Sequence, residues 1–210
     1  MKKIGIFGGT FDPIHYGHLR PALEVLEAFK LDSLRFLPTA QPPHRAHPAA
    51  PAELRLAMVK AATSEERRFV VDERELKTRQ ASYTVDSLTE LRREFPGDAL
   101  FLLVGMDAFL GFPGWQRWRE LFELAHVVVA HRPGWTLIAE GPLAEEVRTR
   151  RAADINVTQT AGKLFLQPVT QLEISATRVR ETAAAGGELR YLVPEAVRAL
   201  ILDSHCYQPR

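Results

Sequence analysis

Cysteine is nearly absent from this chain: Cys206 stands alone among 210 residues. An internal disulfide is therefore excluded, and no CxxC or Cys/His spacing points to a zinc site. A charge excess is missing too, since 27 Lys plus Arg against 26 Asp plus Glu leaves +1. Proteins that grip a nucleic-acid backbone usually carry a basic excess. Any phosphate chemistry is thus expected at a local site for a small ligand, with no nucleic-acid partner. Nothing functional follows from the preference for Arg over Lys, 21 to 6. Apolar runs of about 18 residues, the length of a membrane span, do not occur. The apolar opening of MKKIGIFGGT breaks at Gly8-Gly9 and meets a charge at Asp12, too soon for a signal-peptide core. The expectation is a cytoplasmic chain with no membrane partner. Gly and Pro, 13 and 14 residues, sit near the ordinary background, which excludes collagenous or low-complexity sequence.

What is present is a regular alternation. Short runs rich in β-formers occur at 3–7, 34–37, 69–71, 100–104, 127–130 and 164–166, separated by helical patterns. Leu19, Ala22, Leu23 and Leu26 share one helical face, and Leu54, Ala57, Met58 and Ala61 share another after Pro51. Val85, Leu88, Leu91 or Arg92, and Phe95 define a third helix with Ser82 and Thr84 as cap candidates, and a last helix is expected over 196–202. Strand alternating with helix predicts an α/β fold: a parallel sheet with helices on both faces and right-handed crossovers. The length suits a single domain over 1–210, with a core to about 170 and a small C-terminal helical portion over 171–210. Residues 133–162 give no clear pattern. The basic cluster Arg148, Arg150 and Arg151 is read as a solvated helix face.

Two segments carry chemistry. The first, GGTFDPIHYGHL over 8–19, follows the first strand and opens the first helix. Glycines there let main-chain N–H groups approach an anion, and the helix start adds a favourable dipole. It is neither a Walker A loop nor GxGxxG. His15 and His18, three apart, can share a face and donate to phosphoryl oxygens whose charge grows during transfer. The bland alternative makes His15 a helix cap and His18 a satisfied core residue. The second segment, ISATRVR over 174–180, offers Ser175 or Thr177 as a helix cap, with Arg178 and Arg180 near the same terminus.

GxFDPxHxGH followed late by ISxTxxR resembles the nucleotidyltransferase superfamily with the HxGH signature, here His15-Tyr16-Gly17-His18. PPHR at 42–45, SYTVDSL at 82–88, VGMDAF at 104–109, FPGW at 112–115 and HRPGW at 131–135 narrow the resemblance to bacterial nicotinate-mononucleotide adenylyltransferases. Ala176 departs from the pattern, where a second serine is common. The resemblance implies a Rossmann-like fold and transfer of the adenylyl group of ATP to nicotinate mononucleotide. The products would be deamido-NAD and pyrophosphate, with Mg²⁺ held by the ATP phosphates rather than by protein side chains. Whether the chain forms a homo-oligomer is left open. It further implies that Gly8, Gly9, Thr10 and Phe11 line the phosphates and ribose through the backbone, and that His15, His18 and Arg180 are catalytic. Ile174, Ser175, Thr177 and Arg180 would hold the far end of the triphosphate, so the two ends of the chain must converge. Gly105 and Asp107 would face the ATP ribose or adenine, a bare helix cap being the alternative for Asp107. For the mononucleotide it implies His44, Tyr83, Thr84, Trp115 and Arg132, with Trp115 stacking on the pyridine ring. Trp118, three residues on, is read as core.

Overall fold

The structure is a computed structural model that describes residues 1–40, 48–77, 83–134 and 140–208. All six expected strands form: β1 (Lys3–Gly9), β2 (Ser33–Pro38), β3 (Phe69–Val71), β4 (Ala99–Gly105), β5 (His126–His131) and β6 (Leu164–Pro168). They make one sheet in the order β3-β2-β1-β4-β5-β6. Its β1, β4, β5 and β6 pair in parallel, with Lys3 beside Ala99, Phe101 beside His126 and Val127 beside Leu164. Strands covered on both faces read as continuous apolar runs. That explains ALFLLVG, buried from Ala99 to Val104, and HVVVAH, buried from His126 to Ala130. Chain order reverses between β1 and β4, the kind of switch point beyond whose carboxyl ends open α/β sheets bind ligands.

Eight helices occur among the described residues: α1 (Tyr16–Ala28), α2 (Ala52–Thr63), α3 (Thr84–Glu94), α4 (Met106–Leu110), α5 (Glu120–Leu124), α6 (Gly141–Arg150), α7 (Ala176–Ala184) and α8 (Glu195–Ser204). In α1, Leu19, Ala22 and Leu26 are buried as the spacing predicts. The inward face of α2 is rotated from expectation. It carries Arg55, Met58, Val59 and Thr63, because the Arg55 guanidinium finds main-chain carbonyls inside. Unread in the sequence, α6 lies between 133 and 162, and its Arg148 and Arg150 pair with Glu145 and Glu146 on the helix surface. Trp118 is core, packed edge-on against Phe122.

Two compact units can be distinguished. One comprises Met1–Phe7, Ala22–Arg35 and Tyr83–Thr170, and the other Gly8–Pro21, Phe36–Ser82 and Gln171–Arg210. No described helix is long and apolar enough to cross a membrane.

Candidate active site

The second unit begins at Gly8, near the end of β1, and runs into the loop that ends at His15. Phe11 adopts a left-handed backbone (φ 48) and buries its ring beside Phe36, edge-on to His18 at 5.3 Å between centroids. Only the main chain of Phe11 is thereby left to line a ligand. A Cβ on Gly9 would lie 3.0 Å from that ring, so any larger residue there would press on Phe11.

The histidine pair reverses the bland assignment. His15 precedes α1, is 4% exposed, and donates its main-chain N–H to Nδ1 of His18 at 3.3 Å. The two rings lie 3.8 Å apart and 31° from parallel. His18 thus caps and His15 is the buried member. With its Nδ1 accepting, a neutral His18 carries its proton on Nε2, the arrangement needed to donate outward. His15 Nδ1 is buried with no hydrogen-bond partner among the described residues. Burial lowers its pKa from the ordinary 6.5 to about 4, so the ring is neutral at pH 7. An unpaired buried polar atom costs about 1–3 kcal/mol, so it persists where something else requires it.

The late segment reaches the same loop. A Cβ on Gly17 would come within 2.9 Å of the Ile174 carbonyl and of the His15 ring. The glycine of HYGH is therefore a point of close approach between the two ends of the chain. Ser175 caps α7 by accepting the Arg178 N–H at 3.2 Å. Arg180 donates to the Asp12 carbonyl at 2.7 Å, 168 positions away, and to Thr177 Oγ1 at 3.3 Å. Gly8, Gly9, Thr10, Phe11, His15, His18, Ile174, Ser175, Thr177 and Arg180 are all in this unit.

Sequence reasoning missed three residues here. Asp12 accepts from the N–H groups of Ala49 (2.7 Å) and Ala50 (3.1 Å) and from the Tyr207 hydroxyl (2.7 Å). Arg55, 1% exposed, donates to the carbonyls of Thr10, Thr39, Ala40 and Ala50. Burial, then the neighbouring Asp12 charge, pushes the Tyr207 phenol upward, which keeps it a donor.

The other expected residues belong to the first unit. Gly105 caps α4 at the end of β4, so the alternative of Asp107 as the cap is excluded; Asp107 lies exposed in the first turn. Tyr83 takes the extended conformation that precedes α3 and Thr84 begins the helix, where the first N–H groups have no helical partner. Trp115 closes the 3-10 turn over Phe112–Gly114, half-buried, its ring 4.8 Å from Phe112. Arg117 and Asp86 form an ion pair that ties the Trp115 turn to the start of α3. The expected segments SYT, FPGW and HRPGW hold no acidic residue, and Asp86, just beyond them, has its charge met by Arg117. Arg132 is exposed directly after β5. Both Ser82 and His44 lie outside the described residues.

Residues 6–182 match the cytidylyltransferase-like family, and the chain belongs to it. Among its relatives, the probable nicotinate-nucleotide adenylyltransferase of Halorhodospira halophila is 50% identical over 99% of this chain and 96% of its own length. That of Aeromonas hydrophila is 47% identical over 98% and 97%. The solved nicotinic acid mononucleotide adenylyltransferase of Plasmodium falciparum, complexed with NaAD, shares the fold with a TM-score of 0.76. The match covers 99% of this chain and 98% of that one, at 14% identity.

Proposed function

We infer that the chain is a nicotinate-nucleotide adenylyltransferase of NAD biosynthesis, transferring the adenylyl group of ATP to nicotinate mononucleotide and releasing pyrophosphate. The observation that carries this reading, beside the full-length relatives, is the meeting of His15-Tyr16-Gly17-His18 with Ile174–Arg180 at the Gly17–Ile174 approach. No protein nucleophile is required. The acceptor phosphate attacks the α-phosphorus in line while the protein positions both substrates and stabilises developing charge.

The residue roles are part of the proposal. His18, with its proton on Nε2, donates to the transferring phosphoryl group, and neutral His15 supplies a second imidazole beside it. Main-chain N–H groups of Gly8 to Phe11 and the side chains of Ser175, Thr177 and Arg180 hold the rest of the triphosphate. Gly105 and Asp107 serve the nucleoside end of ATP. On the acceptor side, Trp115 stacks on the pyridine ring, with Tyr83, Thr84, Arg132 and His44 about the mononucleotide. The donors around the phosphate loop are imidazoles, hydroxyls, a guanidinium and main-chain N–H groups, a set that suits an anion. They fit Mg²⁺ only as a cation carried in on the triphosphate, where it neutralises phosphate charge. A cytoplasmic location agrees with this chemistry.

Incubating the protein with ATP, Mg²⁺ and nicotinate mononucleotide should release pyrophosphate and yield deamido-NAD by mass. No product with any pyridine mononucleotide would refute the reading.

A further inference from the structure

The phosphate loop is held from behind by three buried side chains that the reaction itself does not call on. Asp12 is the hub. Its carboxylate takes up Ala49, Ala50 and Tyr207, while its carbonyl takes up Arg180. Arg55 spends its guanidinium on four carbonyls, at 2.7 Å from Thr10 and 2.8 Å from Thr39, with Ala40 and Ala50 at 3.2 and 3.3 Å. Thr10 lies between the glycines and the histidines. The planar fork of an arginine can fix several acceptors at once, which a lysine cannot. Tyr207, 7% exposed, reaches Asp12 across 195 positions of sequence. A loop whose donors must meet a developing charge within a few tenths of an ångström depends on such support, because preorganisation supplies most of the stabilisation.

We propose that Arg55 and Tyr207 are positioning residues for adenylyl transfer, acting through the Thr10 carbonyl and Asp12 to hold the Gly8–His18 loop in register with Arg180. This rests on the adenylyltransferase reading above. Neither residue touches substrate. Each fixes main-chain atoms that do, or that carry Arg180.

The test compares Tyr207→Phe and Arg55→Lys with Arg92→Met in the full chain, each assayed well below its unfolding temperature. Arg92 is the matched control: it too spends its donors on carbonyls, those of Leu124, Phe95, Asp98 and Thr160, but within the other unit. Tyr207→Phe removes one hydroxyl and should lower kcat at least about fivefold, leaving KM for nicotinate mononucleotide within about twofold. Arg55→Lys keeps the cation but loses the fork, and should lower kcat by about tenfold or more. ATP affinity, measured by calorimetry without acceptor, should weaken about threefold in both, which reads the loop even if the acceptor assignment is wrong. Arg92→Met should lower Tm and leave kcat per folded molecule within about twofold. If Arg55→Lys does not fold, Tyr207→Phe decides. Wild-type kcat and ATP affinity in Tyr207→Phe would overturn the proposal, as would an equal kcat loss in Arg92→Met. An inactive wild type would instead overturn the adenylyltransferase reading alone.

Discussion

The two units hold their candidate residues by different physics. In the first, Gly105 ends β4 and Arg132 directly follows β5, two strands of a dry parallel sheet buried almost throughout, and Trp115 packs on the buried Phe112. In the second, the Gly8–His18 loop is set by polar bonds to partners distant in sequence: Arg55 on Thr10, Tyr207 on Asp12, Arg180 on the Asp12 carbonyl. Hydrophobic burial tolerates small shifts, whereas a hydrogen bond is sensitive to both distance and angle. On the proposed roles, the second unit is the phosphate half, with the geometry for stabilising charge. In the first, Trp115 and Arg132 make the acceptor half, with the geometry for shape selection, while Gly105 and Asp107 serve the nucleoside of ATP. Variants in the two halves should separate accordingly, in kcat for one and in acceptor KM for the other.

The largest expected effect is on the phosphate half, through pH. His15 has a folded pKa of about 4 against 6.5 when exposed, because it is buried. The unfolded chain thus binds more protons between those values. Stability is full above about pH 6.5 and falls as pH drops toward 4, by about 3 kcal/mol from this group. His126, fully buried and also lowered by burial, adds a loss of the same sign. Chemical denaturation of wild type and His15→Asn at pH 7 and pH 4.5 measures the difference. Equal pH slopes would remove His15 as a buried neutral group.

Next is His18→Ala. Its contacts strengthen as charge develops, so kcat should fall at least about 10²-fold while either KM changes far less. Steady-state kinetics with both substrates varied gives the answer, and near-normal kcat would dissolve the contrast between the halves.

Trp115→Ala probes the other side. Stacking on an aromatic platform contributes about 1–3 kcal/mol, so KM for nicotinate mononucleotide should rise roughly 5- to 100-fold with KM for ATP almost constant. A loss of ATP affinity instead would place Trp115 with the nucleoside or with the core beside Phe112.

The same contrast decides what could be seen in the sequence. FVV at 69–71 was legible to the residue as a short run of β-formers, although this edge strand is only half-buried. The convergence of HYGH with ISATRVR was legible only through the resemblance, and Gly17 then supplied its steric reason. Asp12, Arg55 and Tyr207 left no periodic trace, since a buried polar contact depends on which carbonyl folding brings near. The α2 face was misjudged for that reason: the apolar spacing set Leu54, Ala57, Met58 and Ala61 on one face, whereas Arg55, Met58, Val59 and Thr63 are the buried ones. Residues 133–162 were unreadable because α6 buries one residue on its surface of ion pairs, Leu143, too little for an apolar stripe.

The smallest effect concerns acid against amide in the acceptor half. A pyridine carboxylate needs donors when buried, whereas a carboxamide needs an acceptor as well. The N–H groups of Thr84 and Val85 at the start of α3 have no acceptor within the helix, and the helix dipole favours an anion there. Asp86 in the same turn could have served an amide NH₂, but Arg117 occupies its carboxylate. The acid form should thus hold a kcat/KM advantage of about tenfold, or about 1.4 kcal/mol. Thr84→Ser should leave that ratio within about twofold, because the donor is main chain. Arg117→Ala should narrow it by freeing Asp86 to repel a carboxylate and accept from an amide. Competition between the two mononucleotides at limiting ATP measures all three ratios. Equal turnover in the wild type would mean the first turn of α3 does not select, and the acceptor half would then recognise only ring and phosphate.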